Sequence, residues 1–292
     1  MELTDINEVR ALLARHGFRF SKSLGQNFLV ASWVPRDIAD SAGLDENTGV
    51  LEIGPGIGCL TKELSLRAGK VAAVELDESL KGVLAESLSG CANVDLIFGD
   101  ILRQDIHALA ARHFAGLRPV VCANLPYNVT TPVLTALIES GEFDTITVMI
   151  QREVARRICA PANTPDYGAF GIFVQWYMTC ELLFDVAPGC FIPQPKVTSS
   201  VIRLTRRAEK PYPVRDEALF FRIIRAAFNQ RRKTLVNALS AGLGLDKADI
   251  EHAVTACGLD ARVRGEALDA GQFVSICEKL AICERFLQIV NK

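Results

Sequence analysis

The sequence predicts an α/β protein: a mostly parallel sheet with helices on both faces, an antiparallel hairpin at one sheet edge, and a smaller all-helical C-terminal domain. Three observations predict it. Short apolar runs alternate with helical patterns between residues 50 and 159. Two further runs flank a proline-rich turn, and beyond Pro213 the pattern is helical throughout.

Residues up to about 48 read as a basic arm and one helix around Val34–Ala42. Val50–Ile53 predicts the first long strand, followed by a helix from about Gly58 to Arg67. Val71–Glu75 and Val94–Phe98 are the next strands, with helices over Ser79–Leu88 and Ile106–His113. Val120–Ala123 and Ile146–Ile150 follow, separated by a helix at about Thr131–Glu139, and Glu153–Cys159 opens another. Leu182–Val186 and Val197–Leu204, joined across Pro188, Pro193 and Pro195, read as a hairpin that ends the sheet. The expected C-terminal helices are Glu217–Asn229, Lys233–Leu239, Lys247–Cys257 and Gly271–Leu287. Prolines and charges cluster at 206–214, which divides the chain into expected domains 1–208 and 209–292.

A chain of 292 residues with 49 % hydrophobic and 23 % charged content is long enough to bury a full core. No apolar stretch approaches the roughly 18–20 residues that span a bilayer. The first residues, with Glu2, Asp5 and Glu8, lack the basic and apolar regions of a signal peptide, so a cytoplasmic protein is expected. The nine cysteines are scattered, there is no Cys-x-x-Cys pair, and the four histidines lie far apart. No metal site is expected.

Net charge is −2, but it is unevenly spread. Lys196–Val236 holds eleven Lys/Arg against three acids, a local +8 that leaves −10 for the remainder. Arg10–Arg36 carries Arg10, Arg15, Arg19, Lys22 and Arg36 with no acid. Such asymmetry fits binding to a phosphate backbone, with a solvated helical face as the plainer alternative.

Glu52-Ile53-Gly54-Pro55-Gly56-Ile57-Gly58 joins the first long strand to its helix. Glycines there let a ligand approach the backbone closely. The next strand ends at Glu75, 21 residues beyond Gly54, where a carboxylate can accept from ribose hydroxyls. The following one ends at Gly99-Asp100, where a short acid could meet an adenine amino group. Two ligands compete for this pattern. A dinucleotide prefers Gly-x-Gly-x-x-Gly with pyrophosphate on the helix N-terminus, but here the third glycine comes one residue early and Glu52 adjoins the turn. A cationic sulfonium, as in S-adenosylmethionine, tolerates that acid and is the favoured reading. A bare tight turn does not explain three successive strand tips with ligand-suited residues.

Asn124-Leu125-Pro126-Tyr127 follows the apolar run Val120–Ala123. The N6 amine of adenine is a poor nucleophile because its lone pair is delocalised into the ring. Asn124 can offer a side-chain carbonyl and Leu125 a main-chain carbonyl to its two N–H groups, with Pro126 restricting the turn. Tyr127 can stack on the base, an interaction whose removal typically costs ~1–3 kcal/mol. Taken alone, the tetrapeptide is equally an ordinary strand-to-helix turn. A base reaching such a pocket must be flipped or unpaired.

With these residues in view, the chain resembles the ribosomal RNA adenine N6,N6-dimethyltransferase family, in its bacterial small-subunit branch. The resemblance spans nearly the whole chain: Lys22–Leu29, Glu52–Gly58, Val74–Asp77, Gly99-Asp100, Asn124–Asn128, Gln151–Ala155, Phe191–Val197 and Phe228–Leu235. It implies a Rossmann-like class I methyltransferase domain with a basic N-terminal arm, then a helical RNA-binding domain. It implies S-adenosylmethionine as cofactor, S-adenosylhomocysteine as product, and 16S rRNA in the 30S subunit or its precursor as partner. Two adjacent adenosines in the 3′-terminal hairpin would each receive two methyl groups. By the same resemblance, Asn27 and Leu29 close over the donor, and Gly54, Gly56, Glu75, Asp100 and Asn124 line its site. Asn124, Leu125, Pro126 and Tyr127 form the catalytic tip, and Phe191 flanks the base opposite Tyr127. Lys22, Arg152, Lys196, Arg231, Arg232 and Lys233 are expected to meet RNA. Nothing requires more than a monomer. The rivals are a large-subunit (23S) rRNA methyltransferase of the macrolide-resistance type, a non-catalytic assembly factor on the same fold, and a nicotinamide-dependent dehydrogenase.

Overall fold

The computed structural model describes residues 1–21 and 24–281. The chain divides into two compact units, residues 1–155 with 179–206, and residues 156–178 with 207 onward.

The first unit is built on a seven-stranded sheet. Its strands are β2 (Thr48–Ile53), β3 (Lys70–Glu75), β4 (Val94–Phe98), β5 (Arg118–Asn124), β6 (Thr145–Gln151), β7 (Met178–Val186) and β9 (Ser199–Arg206). A separate pair, β1 (Phe28–Leu29) and β8 (Phe191–Ile192), forms a small antiparallel ladder. The large sheet has the order β4-β3-β2-β5-β6-β9-β7. β2 pairs in parallel with both β3 and β5, while β9 runs antiparallel to β6. Hydrogen bonds from Thr179 to Thr205 and from Ser200 to Asp185 show that β7 and β9 are also antiparallel. The expected fold class holds, a mostly parallel sheet with an antiparallel hairpin at one edge. That hairpin's connection is longer than a turn, since it carries β8 across to the arm.

The helices of this unit are α1 (Ile6–Arg15), α2 (Trp33–Ser41), α3 (Cys59–Ser65), α4 (Lys81–Ser87), α5 (Ile106–His113), α6 (Thr130–Ser140) and the start of α7 (Arg152–Cys159). Asp5 begins α1 by accepting hydrogen bonds from Asn7 N and Glu8 N, and Asp105 does the same for Ala108 N at α5. β2 is buried along its whole length, as a central strand covered on both faces must be. Helix α1 was not expected: Val9, Leu12 and Leu13 give it a buried stripe, but it is short and lies in a basic segment.

The second unit is helical. It holds α8 (Ala169–Tyr177), α9 (Glu217–Asn229), α10 (Leu235–Leu243), α11 (Lys247–Ala256) and α12 (Ala270–Ala281). Its core includes Trp176, Phe220, Leu239, Ile250 and Phe273, with the Trp176 and Phe220 rings 4.3 Å apart. The expected division at 208/209 is therefore corrected. Residues 156–178 belong with the C-terminal helices because Ile172 and Trp176 of α8 are part of that core. The expected helix Gly271–Leu287 is described only as far as Ala281. Among the described residues, no helix is long and apolar enough to cross a membrane.

Candidate active site

The sheet order reverses between β2 and β5, whose C-terminal ends lie side by side. Open α/β sheets bind ligands at such a switch point. A deep cleft opens there in the first unit, lined by the arm (Leu24–Leu29), the glycine turn (Glu52–Ile57), Glu75, Asp100 and the Asn124–Val129 segment. Every expected cofactor residue lies in it: Asn27, Leu29, Gly54, Gly56, Glu75, Asp100 and Asn124.

The turn after β2 depends on its glycines. Gly54, Gly56 and Gly58 have φ of 71°, 61° and 91°, a region that other residues enter only with strain. A Cβ on Gly56 would lie 3.1 Å from the Phe28 ring, so the absent side chain also lets the arm lie against the turn. The arm is tied down nearby. Gln26 accepts from Ser21 N at 2.9 Å and donates from Nε2 to Asp77 at 2.6 Å. Asn27 donates to Gly25 O at 2.9 Å.

Two acids shape the electrostatics. Glu52, 1 % exposed, has an Oε2 with no hydrogen-bond partner, and burial pushes its carboxyl up to about 8. Such an atom is costly unless a ligand meets it. Glu75 accepts from Gly56 N at 3.1 Å and from Asp77 N at 2.9 Å, and burial raises its carboxyl above the ordinary range despite those bonds. Asp100 caps the short turn at Ile101–Arg103 by accepting from Leu102 N at 3.0 Å. Exposed Leu76 and Leu102 stand on the cleft wall beside these acids, apolar neighbours that sequence reasoning did not pick out.

The orphaned Glu52 carboxylate oxygen, the glycine cradle and the acceptors at the next two strand tips suit S-adenosylmethionine. A positively charged ligand favours the ionised form of such a buried carboxyl, whereas a pyrophosphate opposes it.

The β5 tip presents two open acceptors. The Asn124 side chain has no hydrogen-bond partner among the described residues, and neither does the Leu125 carbonyl. Leu125 N, by contrast, is held by Met149 O at 3.1 Å, which fixes the peptide. The Tyr127 hydroxyl meets Ser199 Oγ at 2.6 Å, and burial raises its phenol.

The residues expected to meet RNA are distributed differently. Phe191 is 2 % exposed, pairs with Leu29 in the small ladder, and is packed in the core rather than lining the cleft. Arg152 is 3.6 Å from Asp185, and Lys196 is exposed. The helix expected from Lys233 begins at Leu235 instead, so Arg231, Arg232 and Lys233 all precede it. They lie in the turn before Thr234, which caps α10, and Arg231 is held by Glu266 and Pro165 O. Lys22 lies outside the described residues. Among those residues no group of His, Cys, Asp or Glu is arranged to hold a metal ion.

Residues 17–281 match the family model described as ribosomal RNA adenine dimethylase. A Geobacillus thermodenitrificans protein named ribosomal RNA small subunit methyltransferase A is 48 % identical over 93 % of this chain and 94 % of its own. One of the same name from Streptococcus gordonii is 43 % identical over 96 % and 98 %. The crystal structure of the 23S rRNA methyltransferase ErmE matches with TM-score 0.65 and 26 % identity, covering 87 % of this chain and all of that one. A dimethyladenosine transferase from Plasmodium falciparum superposes with TM-score 0.69 at 22 % identity, covering 85 % and 95 %, which bears on the fold alone. Sheet and cleft thus define the class, an S-adenosylmethionine-dependent methyltransferase. Within it, the chain belongs to the ribosomal RNA adenine dimethylase family.

Proposed function

We propose that this protein methylates N6 of two adjacent adenosines in the 3′-terminal hairpin of 16S rRNA, giving N6,N6-dimethyladenosine as the 30S subunit is assembled. The reading takes it as a cytoplasmic monomer whose helical unit contributes to RNA binding. What carries it is the pair of open carbonyl acceptors at Asn124 and Leu125, in the same cleft as the Glu52 carboxylate.

Each role follows from the residues. Asn124 Oδ1 and Leu125 O accept from the two N–H groups of the adenine amine, which draws its lone pair out of ring conjugation. After one methyl is added a single N–H remains, so one acceptor then holds the amine alone. Tyr127 stacks on the base. Glu52 and Glu75 hold the donor by charge and by hydrogen bonds to its ribose, and Asn27 and Leu29 cover it from the arm. S-adenosylmethionine supplies an electrophilic methyl group when bound. Such a displacement needs little acid–base help, so positioning accounts for most of the rate.

The small-subunit substrate is supported by relatives of that name at 43–48 % identity, against 26 % for the 23S enzyme structure. Labelled methyl transfer tests it. Incorporation into undermethylated 30S particles is expected, and incorporation only into large-subunit RNA overturns the substrate assignment.

A further inference from the structure

We propose that Ser199 is a positioning residue for the target adenine, acting through Tyr127; the inference rests on the function proposed above. Ser199 is fully buried, opens β9 and pairs with Gln151 of β6. Its hydroxyl crosses 72 positions of sequence to meet the Tyr127 hydroxyl at 2.6 Å.

Tyr127 sits on a loop, whereas Ser199 sits in a strand whose neighbours are fixed on each side. Thr198 O accepts from Arg152 N at 3.0 Å, and Ser200 donates to Asp185 at 2.5 Å. An aromatic ring held only at Cβ can change its χ1 rotamer and swing its far end away. Bound also at its para oxygen, the Tyr127 ring is anchored at both ends of its long axis, so its χ1 rotamer and position are set before a base arrives. A stack depends on where the ring lies, and preorganisation lowers the cost of reaching a reactive geometry. Phenylalanine could stack as well, but nothing would hold it at the far end. Ser199 touches neither base nor donor in this account; it fixes the ring that does.

The test uses the full chain as wild type, Ser199→Ala, Tyr127→Phe, the double variant and Ser199→Thr. Single-turnover methylation of 30S particles is expected to fall roughly three- to tenfold in each single alanine or phenylalanine variant. The double variant falls no further, threonine restores the rate, and calorimetric affinity for S-adenosylmethionine stays within about twofold. NMR of the ¹³C-labelled Tyr127 side chain gives a readout independent of any RNA: three-bond couplings of a single χ1 rotamer in wild type, averaged couplings in Ser199→Ala. Losses that multiply in the double variant, or χ1 couplings unchanged by Ser199→Ala, overturn the proposal. A wild-type enzyme inactive on 30S particles overturns the proposed substrate instead, while the coupling measurement still decides the clamp.

Discussion

Glu52 illustrates how one buried atom constrains the ligand. Its carboxyl is pushed up to about 8, so it keeps its proton at neutral pH, whereas in the unfolded chain it ionises near 4.5. The folded state binds that proton more tightly. The associated stabilisation is complete below the unfolded value and is lost as pH rises through the folded one. The melting temperature of the ligand-free protein is expected to fall between about pH 5 and pH 8, and Glu52→Gln to flatten that fall. A cationic ligand reverses the preference. Binding of S-adenosylmethionine near neutral pH should release a proton, read by calorimetry in buffers of different ionisation enthalpy, and Glu52→Gln should abolish the release. Proton release undiminished in that variant would show that the acid does not meet the donor.

The arm and the loop after β3 act together through Gln26. Its side chain spans Ser21 and Asp77, and Asp77 N donates to the Glu75 carboxylate, so a hydrogen-bond chain links the arm to the expected ribose acceptor. Burial works against ionised Asp77, but the bonds from Ser79 and Gln26 outweigh it and hold its carboxyl below the ordinary value. A hydrogen bond to a charged group contributes about 1.5–3 kcal/mol. Gln26→Ala is therefore expected to speed S-adenosylhomocysteine release about tenfold, with Gln26→Glu faster again because it faces Asp77 with like charge. Stopped-flow rates equal to wild type would show that the strap does not hold the ligand. At this scale the sequence was legible where a pattern is local. The five parallel strands and the glycine turn declare themselves by apolar runs and punctuation. The β1–β8 ladder does not, because two-residue strands carry no periodicity and their partners lie more than 160 residues apart. For the same reason the residues around Phe191 do not say whether it flanks a base or plugs the core, where the structure buries it, and Ser199 carries no local signal.

Charge is a property of the whole chain, and here the structure narrows the sequence reading. Most of the basic run is engaged: Arg203 with Glu181, Arg206 with Phe143 O and Ile138 O, Lys210 with Glu217, Arg215 with Glu278 and Arg231 with Glu266. Among the described residues, the side chains of Lys196, Arg225, Arg232 and Lys233 have no such partner, and all four are exposed. A count of charges cannot separate the two sets, since the partners come from distant parts of the chain. Replacing Arg232 and Lys233 with alanine should weaken RNA binding and reduce the slope of log affinity against log salt by about 1 for each phosphate no longer neutralised. An unchanged slope would place the RNA elsewhere.

Asn124→Ala removes one of the two acceptors on which the whole chemical account depends. Single-turnover methyl transfer to 30S particles, with RNA affinity measured alongside, is the most direct test. Removal of one preorganised hydrogen-bonding group at a reacting centre costs about 10²–10³ in rate, so a loss of that size with RNA affinity nearly unchanged is predicted. Wild-type turnover by Asn124→Ala would contradict the account.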